Sequence, residues 1–255
     1  MKLLWKELIC TMEKLSNDFD RRFSDLEENL KVIRGKIGEA AVKSGRRPQD
    51  ITLLAATKTV PVEVINRGIE LGIDHIGENK VQELCEKYDA YELSRCELQF
   101  IGHLQTNKVK NIIGKVAMIQ SVDSVKLAGE ISRLSLSRSL TTDILIEVNI
   151  GSEPNKSGVL PSALDELIRR IAPLPSLHIR GLMAIPPVNG NVEETQGYFS
   201  KMYQYFVDIK GKKIDNISMD YLSMGMSSDY TQAIVSGANM VRVGSALFGP
   251  RIYNQ

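Results

Sequence analysis

Ile51-Thr-Leu-Leu-Ala-Ala-Thr-Lys58 is the stretch on which the fold of this chain turns. Its first seven residues carry no charge and mix β-branched with small apolar side chains. That is the composition of a strand buried on both faces, as in a parallel sheet covered by helices. A lysine closes the run, directly before Thr59-Val60-Pro61. Taking an ammonium out of water costs several kcal/mol unless it is paired or neutralised. Lys58 therefore reads either as a side chain that snorkels to solvent where the strand ends or as an amine kept for attack on a carbonyl, above all as a Schiff base.

Working outward, comparable apolar runs recur at 73–77, 98–102, 117–121, 143–150, 177–183, 217–223 and 240–243. Helix-length segments separate them, among them Val60–Leu71, Val125–Leu136, Leu160–Ile171, Glu193–Lys210 and Tyr230–Ser236. Strands alternating with helices pair in parallel, and eight of them in 255 residues predict an α/β fold of the (β/α)8 TIM-barrel type. A doubly wound open sheet is the alternative, although no G-x-G-x-x-G follows the first strand. Upstream, Trp5–Ser44 reads as a charge-rich helix with apolar residues at Leu26, Leu30, Ile33 and Ile37, stopped at Gly45-Arg-Arg-Pro48. The chain divides accordingly into an N-terminal helical extension, 1–45, and a barrel, 46–255, with no second domain expected beyond Gly249-Pro250.

Composition narrows the function. The 32 basic and 31 acidic side chains leave a net charge of +1, which provides no field for nucleic acid or an anionic membrane. The three cysteines, Cys10, Cys85 and Cys96, show no CxxC spacing and suit reduced thiols in the cytoplasm. His75, His103 and His178 lack ligand spacing, so no metal site is expected. Lys6 and Glu7 interrupt the first apolar residues, unlike a signal peptide, and no run approaches the ~18 apolar residues of a membrane span.

Barrels of this kind place their chemistry at the C-terminal ends of the strands, with phosphate commonly bound after strands seven and eight. After the predicted seventh strand comes Ser223-Met-Gly-Met-Ser-Ser-Asp229, and after the eighth Val241-Arg242-Val243-Gly244-Ser245. Each offers small residues and hydroxyls at a strand-to-helix turn, where backbone N–H groups can meet an anion; each could equally be an ordinary capped turn. Arg242 shares a strand face with Gly244 and would aim a guanidinium at the ligand. An amine, a cation and phosphate donors together suit pyridoxal phosphate on Lys58, with a phosphosugar bound through its carbonyl as the competitor.

Six motifs then carry a family resemblance: Leu-Leu-Ala-Ala-Thr-Lys58, His75-Ile-Gly-Glu-Asn79-Lys-Val-Gln-Glu83, Phe100-Ile-Gly-His103-Leu-Gln-Thr-Asn-Lys108, Gly181-Leu-Met-Ala, Ser223-Met-Gly-Met-Ser227 and Val241-Arg242-Val-Gly-Ser-Ala-Leu-Phe-Gly249. Across about residues 25–250 the chain resembles the pyridoxal-phosphate homeostasis proteins. The resemblance implies a barrel like the N-terminal domain of alanine racemase, of the type III class of pyridoxal-phosphate folds, with Lys58 carrying the cofactor as a Schiff base. It further implies that Ser227, Gly244 and Ser245 hold the phosphate, that Arg242 meets the pyridine nitrogen and that Asn79 lies close by. The stretch Met1–Arg22 is longer than the family leads one to expect. It is either a real extension or the product of an upstream start, since Met12 is also available.

Two functions are consistent with these residues. The first is a monomeric, non-catalytic cytoplasmic carrier that regulates free pyridoxal phosphate and exchanges it with dependent apo-enzymes, with no catalytic residue of its own. The second is an enzyme, an amino-acid racemase or a lysine-based aldolase. A cation at the pyridine nitrogen weakens the ring as an electron sink, which favours the first. His103 reads as a structural histidine rather than an acid or base, and Asp229 as a partner of a helix N-terminus.

Overall fold

All the apolar runs become strands, and the strands close. In the computed structural model, which describes residues 2–187 and 191–250 with side chains from Phe19 onward, eight parallel strands form a barrel in sequence order. They are β1 (Thr52–Ala56), β2 (His75–Glu78), β3 (Glu97–Phe100), β4 (Met118–Val122), β5 (Thr142–Val148), β6 (Leu177–Ala184), β7 (Ile217–Ser223) and β8 (Met240–Val243). Closure is made by β8 against β1, with Leu54 opposite Arg242 and Ala55 opposite Val243. The open-sheet alternative is thereby excluded.

The helices are α1 (Lys2–Lys43), α2 (Val62–Glu70), α3 (Val81–Lys87), α4 (Val125–Ser137), α5 (Leu164–Ile171), α6 (Val192–Gly211), α7 (Tyr230–Val235) and α8 (Ser245–Phe248). The helix expected over 160–171 begins only at Leu164, because Pro161–Ala163 forms a single 3-10 turn. The sequence reading placed no helix at Val81–Lys87, where α3 stands.

Side-chain alternation explains why the strands read as apolar on both faces. One set of positions, including Ala55, Ile76, Phe100, Ile119, Ile144, Ile146, Val241 and Val243, packs into the main core beneath the helices. The opposite set points into the barrel, where Leu54, Ile101 and Met240 form one cluster and Met118, Leu145 and Met183 another. Removal of this apolar surface from water is the main stabilising contribution.

The described part of α1 is bound into this core. Leu26, Leu30, Ile33, Ile37, Ala40 and Ala41 are buried along one stripe, spaced at helical intervals. Three polar side chains then tie α1 and the turn after it to neighbouring helix ends, whose last carbonyls lack helical partners. Asn29 Nδ2 donates to Leu247 O of α8 at 3.1 Å. The Arg34 guanidinium donates to Leu71 O and Gly72 O after α2, at 3.1 and 2.6 Å. Arg46 donates to Ala238 O at 2.8 Å and to Ile234 O at the end of α7. No helix among the described residues is long and apolar enough to cross a membrane.

Candidate functional site

Lys58 stands two residues beyond β1, at the C-terminal end of the barrel, and shares a pocket with Gly244 and Ser245 at the start of α8. Both of its neighbours are fastened. Thr57 donates through its backbone N–H to Gly77 O at 3.0 Å and through its hydroxyl to Glu78 Oε1 at 2.8 Å. Thr59, in the left-handed region at φ 63°, donates its N–H to Glu83 Oε1 at 2.6 Å. Lys87 Nζ bridges Glu83 and Glu78 at 2.6 and 3.3 Å. The Tyr91 hydroxyl donates to Glu78 Oε1 at 2.8 Å.

This network lies behind the strand rather than in the barrel mouth. Burial raises the pKa of Glu78, with Lys87 opposing, and burial beside Glu78 raises that of Tyr91. The lysine backbone is thus held on both sides by groups from β2, α3 and the turn after it.

The phosphate-binding candidates converge in part. Ser227 Oγ accepts from the N–H groups of Gly244 and Ala246, both at 3.2 Å, so the turns after β7 and β8 are joined at the hydroxyl. Gly225 makes that approach possible: its φ is +92°, and a Cβ there would stand 2.5 Å from the Cβ of Ala233. Asp229 does not cap α7 with its side chain. Its carboxylate instead accepts from Met226 N at 2.6 Å, closing the turn that carries Ser227.

Arg242 projects into the barrel and is 4% exposed. It donates to Ser223 Oγ at 2.6 Å and to Ala184 O at 3.0 Å. Ser223 in turn donates to Gln120 Oε1 at 2.7 Å, and Gln120 Nε2 donates to Gln99 Oε1 at 2.6 Å. This chain of polar groups crosses the barrel interior from β8 to β3 and fixes the guanidinium plane. Burial pushes the Arg242 pKa down to about 10, with Glu147 and Asp229 opposing, so it stays cationic at neutral pH. Its acceptors are neutral, and none of the described carboxylates forms a salt bridge with it.

Asn79 follows β2, which pairs with β1. Its carbonyl oxygen lies where a side chain at position 102 would be, because a Cβ on Gly102 would come within 2.1 Å of it. Asn79 Oδ1 is buried without a hydrogen-bond partner among the described residues. Asn79 is not among the residues that line the Lys58 pocket. His103 is exposed.

One group in the mouth escaped the sequence reading. Glu147, at the end of β5, is 7% exposed; Ser157 donates to its Oε1 at 3.2 Å, and its Oε2 has no partner among the described residues. Burial raises its pKa, Asp123 adds to the rise, and Ser157, Arg242 and His103 oppose it. The folded protein therefore holds this proton more tightly than the unfolded chain does. The associated stability is present below the unfolded carboxylate pKa of ~4.3 and is lost as pH rises through the raised value. Glu147→Gln in the ligand-free protein should gain stability relative to wild type as pH rises above about 4, read from urea midpoints. A difference that stays flat or shrinks would contradict this burial argument.

The geometry supplies an amine on a braced turn, amide and hydroxyl donors around a small cup, and a buried cation with neutral partners. Comparison with known proteins agrees. The profile of the alanine racemase N-terminal domain family matches residues 24–252. The pyridoxal phosphate homeostasis protein of Aquifex aeolicus is 42% identical over 226 residues, covering 89% of this chain and 98% of that one. The protein of the same name from Escherichia coli K12 is 37% identical over 236 residues, covering 91% and 99%. Among solved structures, PipY of Synechococcus elongatus with PLP bound superposes with a TM-score of 0.77 at 29% identity, covering 88% of this chain and all of that one. This chain belongs to the pyridoxal phosphate homeostasis protein family, built on the alanine racemase N-terminal barrel.

Proposed function

We propose that this protein binds pyridoxal 5'-phosphate through Lys58 and holds it for release to dependent apo-enzymes, without turning over amino acids. When bound, the cofactor supplies an aldehyde that condenses with an amine, a phosphomonoester and a pyridine nitrogen. The residues present fit each part. Lys58 is the amine, Gly244, Ser245 and Ser227 are the phosphate donors, and Arg242 is the donor for the ring nitrogen. Asn79, whose buried amide oxygen has no partner among the described residues and which follows the strand paired with β1, is assigned to the cofactor's surroundings.

The observation that carries the proposal is the shared pocket of Lys58 with Gly244 and Ser245. Support for a carrier rather than a catalyst comes from Arg242. A cation held by Ser223 and Ala184 opposes protonation of a nitrogen beside it and so restrains carbanion chemistry. The network of Thr57, Glu78, Glu83 and Lys87 keeps the Lys58 backbone in place, a role that requires no turnover. The relatives' shared name, pyridoxal phosphate homeostasis protein, points the same way. A cytoplasmic monomer is the state proposed, because one chain supplies every group of the pocket.

The discriminating experiment is incubation of the loaded protein with L-amino acids in deuterated water. The carrier reading expects no α-proton exchange above that of free cofactor. Exchange at enzyme-like rates would replace it with a racemase-like activity.

A further inference from the structure

The pocket around Lys58 has a second cation. Arg22, on α1, lines it together with Lys58, Gly244 and Ser245, and none of the described lining residues carries a carboxylate. The position of Arg22 is set by its own helix. Leu26, one turn later, is buried, and Asn29 donates to Leu247 O of α8, which seats this part of α1 against the helix that begins at Ser245. Arg22 makes no hydrogen bond or ion pair with any described residue. An anionic group bound at Gly244 and Ser245 would lie in the same pocket as the Arg22 guanidinium.

We propose that Arg22 is a phosphate ligand, so that α1 completes the cofactor site and sets its preference for the phosphorylated form. The proposal rests on the assignment of pyridoxal phosphate to Lys58. A guanidinium offers two parallel N–H donors to phosphate oxygens, and a phosphomonoester carries about −1.5 to −2 charges at pH 7. Arg22 also lies just outside residues 24–252, the part matched to the shared barrel family. The contribution is therefore an addition by this chain to the common barrel.

The test uses the full chain and three substitutions, Arg22→Lys, Arg22→Ala and Arg22→Glu, with dissociation constants measured for pyridoxal phosphate and for pyridoxal, which lacks the phosphate. Arg22→Ala should weaken pyridoxal phosphate by about 10- to 100-fold, Arg22→Glu by more and Arg22→Lys by less. Binding of pyridoxal should be unchanged, and so should the melting temperature. Inorganic phosphate should compete with pyridoxal phosphate in the wild type and lose that ability in Arg22→Glu. Wild-type affinity for pyridoxal phosphate in Arg22→Glu would overturn the proposal while leaving the Lys58 assignment intact. Equal losses for both ligands would overturn it too, because Arg22 would then be shaping the pocket. A wild-type protein that binds pyridoxal but not pyridoxal phosphate would overturn the phosphate assignment itself.

Discussion

Ser227→Asp should abolish tight binding of pyridoxal phosphate, whereas Ser227→Ala should change it little. In the ligand-free protein the Ser227 hydroxyl already accepts from Gly244 N and Ala246 N. An aspartate would take those two donors for its own carboxylate and set a negative charge where the phosphate must go. Like charges about 4 Å apart oppose each other by roughly 4 kcal/mol at an effective dielectric of ~20, or about a thousandfold in affinity. Alanine removes one neutral hydroxyl, worth about 0.5–1.5 kcal/mol, and leaves both amides open to the ligand. Titration of the two variants with cofactor separates these cases. Similar constants would place the phosphate elsewhere.

Arg242→Glu should have the largest effect on stability. The new carboxylate would face Ala184 O and share the barrel interior with Glu147, and the chain through Ser223, Gln120 and Gln99 would lose its donor. Breaking a buried charged group's partners in this way costs about 3–5 kcal/mol, which lowers the melting temperature by about 6–20 °C for a domain of this size. Arg242→Gln keeps an N–H donor and avoids the like charge, so it should fall by less than half as much. Among protein remaining folded and loaded, slow α-proton exchange with amino acids should rise in both variants. Thermal melts with exchange measured at equal occupancy test both statements. Equal stability of the two variants would mean that the charge at position 242 is not what matters there.

The strands were legible because a parallel barrel buries both faces of each. Ile217–Ser223 and Met240–Val243 carry the bounds that their apolar runs predict. Lys58 stands out in the sequence for the converse reason, a charge ending an uncharged run. The polar chain inside the barrel was not, since Gln99 and Gln120 matter only once β3, β4, β7 and β8 are known to face one another. A weak signal was present for the neighbouring Glu147, which shares its inward parity with Leu145 and follows the apolar run Ile144-Leu145-Ile146 of β5. The brace behind Lys58 was hidden more deeply. It depends on α3 and Tyr91 returning over β2, and the seven residues Val81–Lys87 of α3 are too few for helical periodicity to declare itself. The sharing of one pocket by Arg22 and Lys58 likewise follows from the docking of α1 on α8 and not from any motif.

Covalent capture tests the assignment of Lys58 most directly. Full-length protein incubated with pyridoxal phosphate, reduced with borohydride, digested and weighed by mass spectrometry should carry one reduced cofactor, on the peptide containing Lys58. The Lys58→Ala protein treated in the same way should carry none. A cofactor found on Lys87, Lys108 or Lys156 instead, or at undiminished stoichiometry in Lys58→Ala, would contradict it.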